Sequence, residues 1–231
     1  MPASIREEIV RDWISLSFAH GVGPALFYQL IKRFGSPTVV LNGPGLVARE
    51  IDGPKPGWLA ELSDPGRLRH RAERELSALD RIGGRALIRD DEEYPELLRH
   101  IGQPPPVVYL HGDGRLLEMN SVAIVGSRAA TSYGRRVCRT IARDLAKSGV
   151  CVVSGLALGI DAEAHASALD TVGATVGVLG CGLDLVYPRG NRHLYERIRE
   201  SGLLISEYPL GTPPEGFRFP ARNRIIAGLS R

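Results

Sequence analysis

Apolar residues recur every three or four positions in the first third of the chain, and this spacing predicts helices. Across residues 5–34 the pattern is interrupted by Gly21-Val22-Gly23-Pro24. The interruption predicts a helix, a glycine turn and a second helix that begins at Pro24. Such a turn is also the form of a helix-hairpin-helix, which can hold a nucleic-acid phosphate, but a small helical bundle needs the same glycines. Both interpretations stay open.

Beyond residue 84 the pattern changes, and we place a boundary there between a small all-helical domain (1–84) and a second domain (85–231). Gly/Pro-rich connections at 42–66 and a helix over about 65–82 precede the boundary. The stretch 86–118 predicts a strand, a short helix and a strand. Further strands are predicted at 121–127, 150–155, 174–180 and 203–209, with helices at 132–148, 160–171 and 191–200 and from 221. This alternation is typical of a parallel sheet covered on both faces, the Rossmann-like α/β fold.

Composition and charge narrow the class of protein. The 231 residues are 43% hydrophobic and 24% charged, as in globular proteins. No apolar run approaches the roughly 18 residues of a spanning helix, and the start of the chain lacks a signal peptide, so a cytoplasmic protein that does not enter membranes is expected. The net charge of +3 is uneven, since residues 1–120 carry −2 and residues 121–231 carry +5. A positive second half, rich in arginine, favours an anionic partner.

Three cysteines, Cys138, Cys151 and Cys181, lie far apart among apolar or small residues. Their odd number and wide spacing fit neither a disulfide framework nor a zinc site. We interpret them as core residues, and we expect no metal and no cofactor.

The ends of the predicted parallel strands are the place to look for a ligand site, because ligands of such sheets bind beyond the carboxyl ends. Each end carries glycine, serine or arginine. The residues are Gly126, Ser127 and Arg128 after the first strand, Ser154, Gly155, Gly159 and Ile160 after the second, Gly180 and Gly182 after the third, and Ser206, Arg222, Asn223 and Arg224 after the fourth. Glycines allow close approach of the backbone, and a helix N-terminus attracts anions. Tight turns need glycines too, but four such turns on one edge favour a phosphate-binding crevice.

The sequence indicates catalysis less clearly than it indicates a phosphate-binding crevice. Gly155 and Gly159 have the wrong spacing for a dinucleotide fingerprint, and no Walker A sequence occurs, which disfavours nicotinamide chemistry and P-loop hydrolysis. Asp161 and His165 share a helix face, but we interpret them as a helix residue bound to the crevice backbone and a packed histidine. Glu207 is the best isolated carboxylate, and it serves equally well as a partner of an arginine. We assign no catalytic residue.

Five segments closely resemble the bacterial DNA-processing protein A (DprA/Smf) family. They are GSRAATSYG (126–134), SGLALGIDAEAHASAL (154–169), VLGCGLDLVYPRGNRHL (178–194), LLISEYPLGTPP (203–214) and FPARNRIIAGLS (219–230). The resemblance implies a sterile-alpha-motif-like helical domain before an extended Rossmann domain. It also implies a non-enzymatic function, which is to bind and protect incoming single-stranded DNA during natural transformation and to help load the RecA recombinase in the presence of single-strand-binding protein.

The resemblance also assigns roles to residues. Gly126, Ser127 and Arg128 would form a phosphate pocket with Gly155, Gly159 and the helix that starts at Ile160. Phe217 would offer an aromatic face to a base, and the segment from Arg222 to Arg224 would border the pocket. Gly216 stands where relatives have a basic residue, so that charge would come from Arg218. Relatives continue beyond residue 231 and form homodimers, and this chain is therefore expected to lack the dimer segment and to have an incomplete sheet.

Two functions from other classes remain as alternatives. A nucleotide hydrolase of the lysine-decarboxylase-like Rossmann group would also bind phosphate, but the P-G-G-x-G-T-x-x-E run of that group is absent from the sequence. A docking module with a protein partner would leave the crevice empty.

Overall fold

The computed structural model describes residues 3–50 and 57–231, and in this part six helices precede the sheet. They are α1 (Ala3–Ser17), α2 (Pro24–Phe34), α3 (Pro37–Asn42), α4 (Pro44–Arg49), α5 (Gly57–Leu62) and α6 (Pro65–Arg81). Helix α2 begins at Pro24, as predicted, where the missing N–H of proline costs no hydrogen bond. Residues 51–56, within the predicted Gly/Pro-rich connection, lie outside the described residues.

The second part of the chain contains a six-stranded mixed sheet. Its strands are β1 (Gly84–Ile88), β2 (Val107–Gly112), β3 (Ser121–Ala123), β4 (Cys151–Ser154), β5 (Thr175–Leu179) and β6 (Leu203–Ser206), in the spatial order β1-β2-β6-β5-β4-β3. Strands β3 to β6 are parallel, which confirms the predicted Rossmann-like α/β architecture. Strand β2 pairs antiparallel with both β1 and β6, so the first two strands extend the sheet in the opposite direction.

Five helices follow or separate these strands. They are α7 (Glu96–Arg99), α8 (Ser132–Lys147), α9 (Ile160–Ala168), α10 (Arg192–Ser201) and α11 (Arg218–Gly228). Two 3-10 helices, Gly114–Glu118 and Arg189–Asn191, lie before β3 and α10. Helix α11 begins three residues earlier than predicted, because Pro220 falls in its first turn, where helical N–H groups have no intrahelical acceptor.

Both faces of the sheet are buried. One cluster of buried apolar residues runs from Trp13 and Phe27 of the N-terminal helices to Tyr109 and Leu204 of the sheet. A second cluster covers the other face beneath α11. The helices and the sheet therefore share a core, and the domain boundary near residue 84 stays a prediction. Within the described ranges, no helix has both the length and the apolar character that a membrane span requires.

Candidate functional site

A crevice opens beyond the carboxyl ends of the parallel strands and encloses about 80 Å³. Its lining comes from four separate segments of the chain. The segments contribute Arg128 after β3, Gly155 and Leu158 after β4, Gly180, Cys181 and Tyr187 after β5, and Phe219 and Arg222 from α11. The fold thus brings together residues from all four of the strand ends that the sequence singled out.

The glycines around the crevice are required by close contacts within the protein. A Cβ atom on Gly155 would lie 2.5 Å from Nη2 of Arg222, and one on Gly126 would lie 2.8 Å from Cγ1 of Ile160. Gly159 has a φ of +86°, and its Cβ would lie 2.2 Å from the carbonyl oxygen of Ser127. Protein groups, rather than a ligand, therefore explain why these three positions have no side chain.

Asp161 binds two backbone amides at the crevice. Its carboxylate accepts hydrogen bonds from the N–H groups of Gly126 (3.3 Å) and Gly155 (3.2 Å). The residue lies in the first turn of α9, where a negative charge is favourable. This geometry confirms the interpretation of Asp161 as a helix residue bound to the crevice backbone. Two amides that the resemblance assigned to a phosphate pocket are thus already bonded, whereas those of Ser127 and Arg128 have no acceptor among the described residues.

The connection after β4 is held in a left-handed conformation at Leu156, whose φ is +58°. Its N–H donates to Nε2 of His165 at 3.2 Å, and its carbonyl accepts from Nδ2 of Asn191 at 2.9 Å. Nδ1 of His165 lies 2.7 Å from the hydroxyl of Thr175. Burial, reinforced by the nearby Arg222, lowers the pKa of His165 to about 3. The histidine is therefore neutral at pH 7, which confirms the prediction of a packed, hydrogen-bonded residue.

Arg222 lies beneath the crevice and is almost fully buried. Its Nη1 donates to the carbonyls of Gly155 (2.7 Å) and Val178. Burial lowers the pKa of Arg222 to about 10, opposed by the negative charge of Asp161, so the guanidinium stays charged at neutral pH. The side chain does line the crevice, but it chiefly ties β5 to the connection after β4.

Two stacked aromatic residues, Tyr187 and Phe219, also line the crevice and form what we call the aromatic wall. Sequence reasoning missed this wall. The rings of Tyr187 and Phe219 stack with centroids 5.2 Å apart and an interplanar angle of 22°. The guanidinium of Arg128 lies 5.7 Å from the centroid of Phe219. Phe217, the aromatic chosen from the sequence, is instead 67% exposed outside the crevice and contacts Arg218. The two phenylalanines in Phe-Arg-Phe-Pro were an available signal, but the early start of α11 decides which of them lines the crevice.

The remaining predicted residues have varied environments. The hydroxyl of Ser154 is buried and donates to the carbonyl of Ile124 at 2.6 Å, so it is not available to a ligand. Arg224 forms an ion pair with Glu207, and burial raises the pKa of that carboxyl. This pairing favours the interpretation of Glu207 as a partner of arginine over that of a catalytic acid. Asn223 is exposed on α11.

The three cysteines are buried free thiols, as predicted. Burial raises the pKa of Cys151 to about 12 and that of Cys181 to about 11, and it also raises the pKa of Cys138. Among residues 3–50 and 57–231, no three His, Cys, Asp or Glu side chains come together as a metal ion would require.

Comparison with known sequences gives consistent matches. Residues 85–231 match the family described as DNA recombination-mediator protein A. The Smf protein of Synechocystis is 42% identical over 223 residues, which are 95% of this chain and 56% of that protein. DprA of Bacillus subtilis is 38% identical over 158 residues, which are 68% of this chain and 53% of that protein. The chain spans about half the length of the curated relatives it matches.

Solved structures agree with the sequence matches. DNA processing protein A from Streptococcus pneumoniae superposes with a TM-score of 0.79 at 28% identity, over 95% of this chain and 75% of that one. A second structure, from Helicobacter pylori, gives a TM-score of 0.59 at 37% identity, over 64% of this chain and 66% of that one. It is described as revealing the single-stranded DNA binding mode of the Helicobacter protein.

Proposed function

Because the chain belongs to the DNA recombination-mediator protein A family, we propose that it binds single-stranded DNA at the crevice. In this proposal it acts in the cytoplasm without catalysing a reaction. It protects DNA that enters during natural transformation and helps RecA to load on strands covered by single-strand-binding protein.

The observation that carries the proposal is the pairing of a cation with an aromatic face. Arg128, which is exposed, lies over the ring of Phe219 at the mouth of the crevice. Proteins that bind single strands combine positive charge for the phosphates with aromatic rings for the bases, and each stacked base contributes about 1–3 kcal/mol. The single-stranded DNA binding mode described for the Helicobacter protein supports the same ligand here.

The rest of the crevice supports a contact with the phosphate backbone. The amides of Ser127 and Arg128 have no acceptor in the part of the chain that the structure describes, so they can donate to a phosphate oxygen. Residues 121–231 carry a net charge of +5, which attracts a polyanion. Since phosphate contacts carry no sequence information, we expect little preference for base sequence.

A titration of fluorescently labelled oligonucleotide, followed by anisotropy at 50 and 200 mM salt, tests the proposal. Each phosphate contact contributes about 0.7 to the slope of log affinity against log salt for a single strand, or about 2.6-fold over this range. We expect Arg128→Ala to weaken binding of all sequences and to reduce the slope by about 0.7. The control is Arg115→Ala, which removes an exposed charge paired with Asp113. Arg115 precedes β3, whereas Arg128 follows it, so the control lies at the other end of that strand from the crevice.

Absence of binding, or an affinity that does not respond to salt, would refute the proposal. The mediator role has its own measurement, which is the rate at which RecA assembles on oligonucleotides covered by single-strand-binding protein, with and without this chain. Release of free base from nucleoside monophosphates would instead favour the hydrolase alternative.

A further inference from the structure

A carboxylate of the N-terminal helices forms a hydrogen bond to the segment between β6 and α11. Oε1 of Glu75, on α6, accepts a hydrogen bond from the backbone N–H of Leu210 at 2.7 Å. The two residues are 135 positions apart in the chain. This bond therefore joins the helical part of the molecule to the connection that leads into the crevice.

The two residues after Leu210 are held from the other side, by the connection after β5. The N–H of Gly211 donates to the carboxylate of Asp184, at 2.8 Å from Oδ1 and 3.0 Å from Oδ2. The carbonyl of Thr212 accepts from the N–H of Gly182 at 3.0 Å. Three consecutive residues are thus fixed between α6 and the sheet.

The fixed residues lead directly to the aromatic wall. Nη1 of Arg218 donates to the carbonyl of Pro213, which follows the three fixed residues. The backbone N–H of Arg218 donates to the carbonyl of Glu215 at 3.0 Å, and α11 begins at this point. Phe219 is the next residue, so residues 210–213 lie on the path of the chain that leads to its ring.

The side chain of Glu75 is not simply exposed to solvent. It is partly buried, and its carboxylate accepts the hydrogen bond from Leu210. Burial raises its pKa, opposed by the bond to Leu210 and reinforced by the charge of Asp184. Desolvating a charge costs free energy that a single amide offsets only in part.

We infer that Glu75 is a positioning residue for the single-stranded DNA site. Its carboxylate holds Leu210, the first of the fixed residues, and so helps to keep the segment that leads to Phe219 in the geometry that stacks a base. The helical part of the chain is then a component of the binding site and does not merely precede it. This inference rests on the proposed function.

The test compares Glu75→Ala, Glu75→Gln and the wild-type chain in two measurements. Hydrogen–deuterium exchange of residues 207–217 reports on the attachment without DNA, and anisotropy reports on oligonucleotide affinity. We expect Glu75→Ala to exchange about tenfold faster in this segment, and to bind several-fold more weakly, because a hydrogen bond to a charged group is lost. Glu75→Gln keeps an acceptor oxygen and should recover most of both effects.

Glu73→Ala is the matched control, since Glu73 lies on the same helix, is exposed and pairs with Arg11 at 3.5 Å. It should leave both measurements unchanged. Unchanged exchange in Glu75→Ala, or no recovery in Glu75→Gln, would overturn the attachment. Faster exchange with wild-type affinity would overturn the positioning role. Failure of the wild-type chain to bind DNA would refute the proposed function, and the exchange data would still decide whether Glu75 holds the segment.

Discussion

Replacing Gly155 by alanine should destabilise the protein through Arg222. The added Cβ would lie 2.5 Å from Nη2, 2.7 Å from Cζ and 2.8 Å from Nη1 of the guanidinium. An exposed arginine would move aside at little cost. This one is buried and donates to the carbonyls of Gly155 and Val178, so it moves only by breaking those bonds.

The size of the effect follows from these two hydrogen bonds. A hydrogen bond from a charged donor contributes about 1.5–3 kcal/mol to stability, and the carbonyls left behind are buried. Allowing for partial relaxation, we expect Gly155→Ala to lower the free energy of unfolding by about 2–4 kcal/mol. Urea unfolding followed by circular dichroism measures this value.

A double-mutant cycle separates this mechanism from a general intolerance of alanine at position 155. Arg222→Ala alone should cost about 3 kcal/mol, because it leaves the same carbonyls without a donor. It also empties the space that the new Cβ needs. The double variant should therefore be no less stable than Arg222→Ala, which gives a coupling energy of about 2 kcal/mol or more.

Additive costs in the two single variants would refute the reasoning, because they would show that the guanidinium is not what excludes a side chain. Gly216→Ala is the matched control. Nothing lies within 4 Å of the Cβ that would be added there. Its effect on the free energy of unfolding should stay within about 0.5 kcal/mol.

Three further predictions concern the site and the core. Phe219→Ala should weaken oligonucleotide binding by about 1–3 kcal/mol in the anisotropy titration, and an unchanged affinity would exclude base stacking on this ring. His165 has a folded pKa of about 3, below its ordinary value, so only the unfolded chain takes up its proton as the pH falls below about 6.5. Stability should therefore fall by about 2 kcal/mol from this group between pH 7 and pH 5, and urea unfolding of His165→Gln should lack that contribution. The three buried thiols should react with a disulfide reagent only slowly in the native protein and completely after unfolding, and rapid native labelling would contradict their burial.

The alternation of strands and helices after residue 121 was predictable because each buried strand is a short apolar run and each helix has its own amphipathic period. The antiparallel pairing of β2 with β6 was not predictable in this way. The apolar residues of β2 describe a buried strand, but nothing in residues 107–112 identifies β6 as the neighbour. Strand pairing depends on how distant segments pack, which local patterns do not encode.

The candidate site shows a similar division. The sequence correctly located the crevice edge, because glycine, serine or arginine follows each parallel strand. It did not reveal what the glycines accommodate, since the contact between Gly155 and Arg222 joins residues 67 positions apart. Nor did it distinguish Phe217 from Phe219. That distinction depends on the residue at which α11 begins, and element boundaries are the part of a structure that sequence patterns define least well.

The carboxylate of Asp161 has a consequence for the thermodynamics of binding. By accepting hydrogen bonds from Gly126 and Gly155, it joins the connections after β3 and β4 through contacts within the protein. A ligand therefore meets a backbone that is already ordered, and association loses less conformational entropy than it would if these connections had to become ordered at that moment. Asp161 thereby fixes the two connections that border the crevice relative to each other.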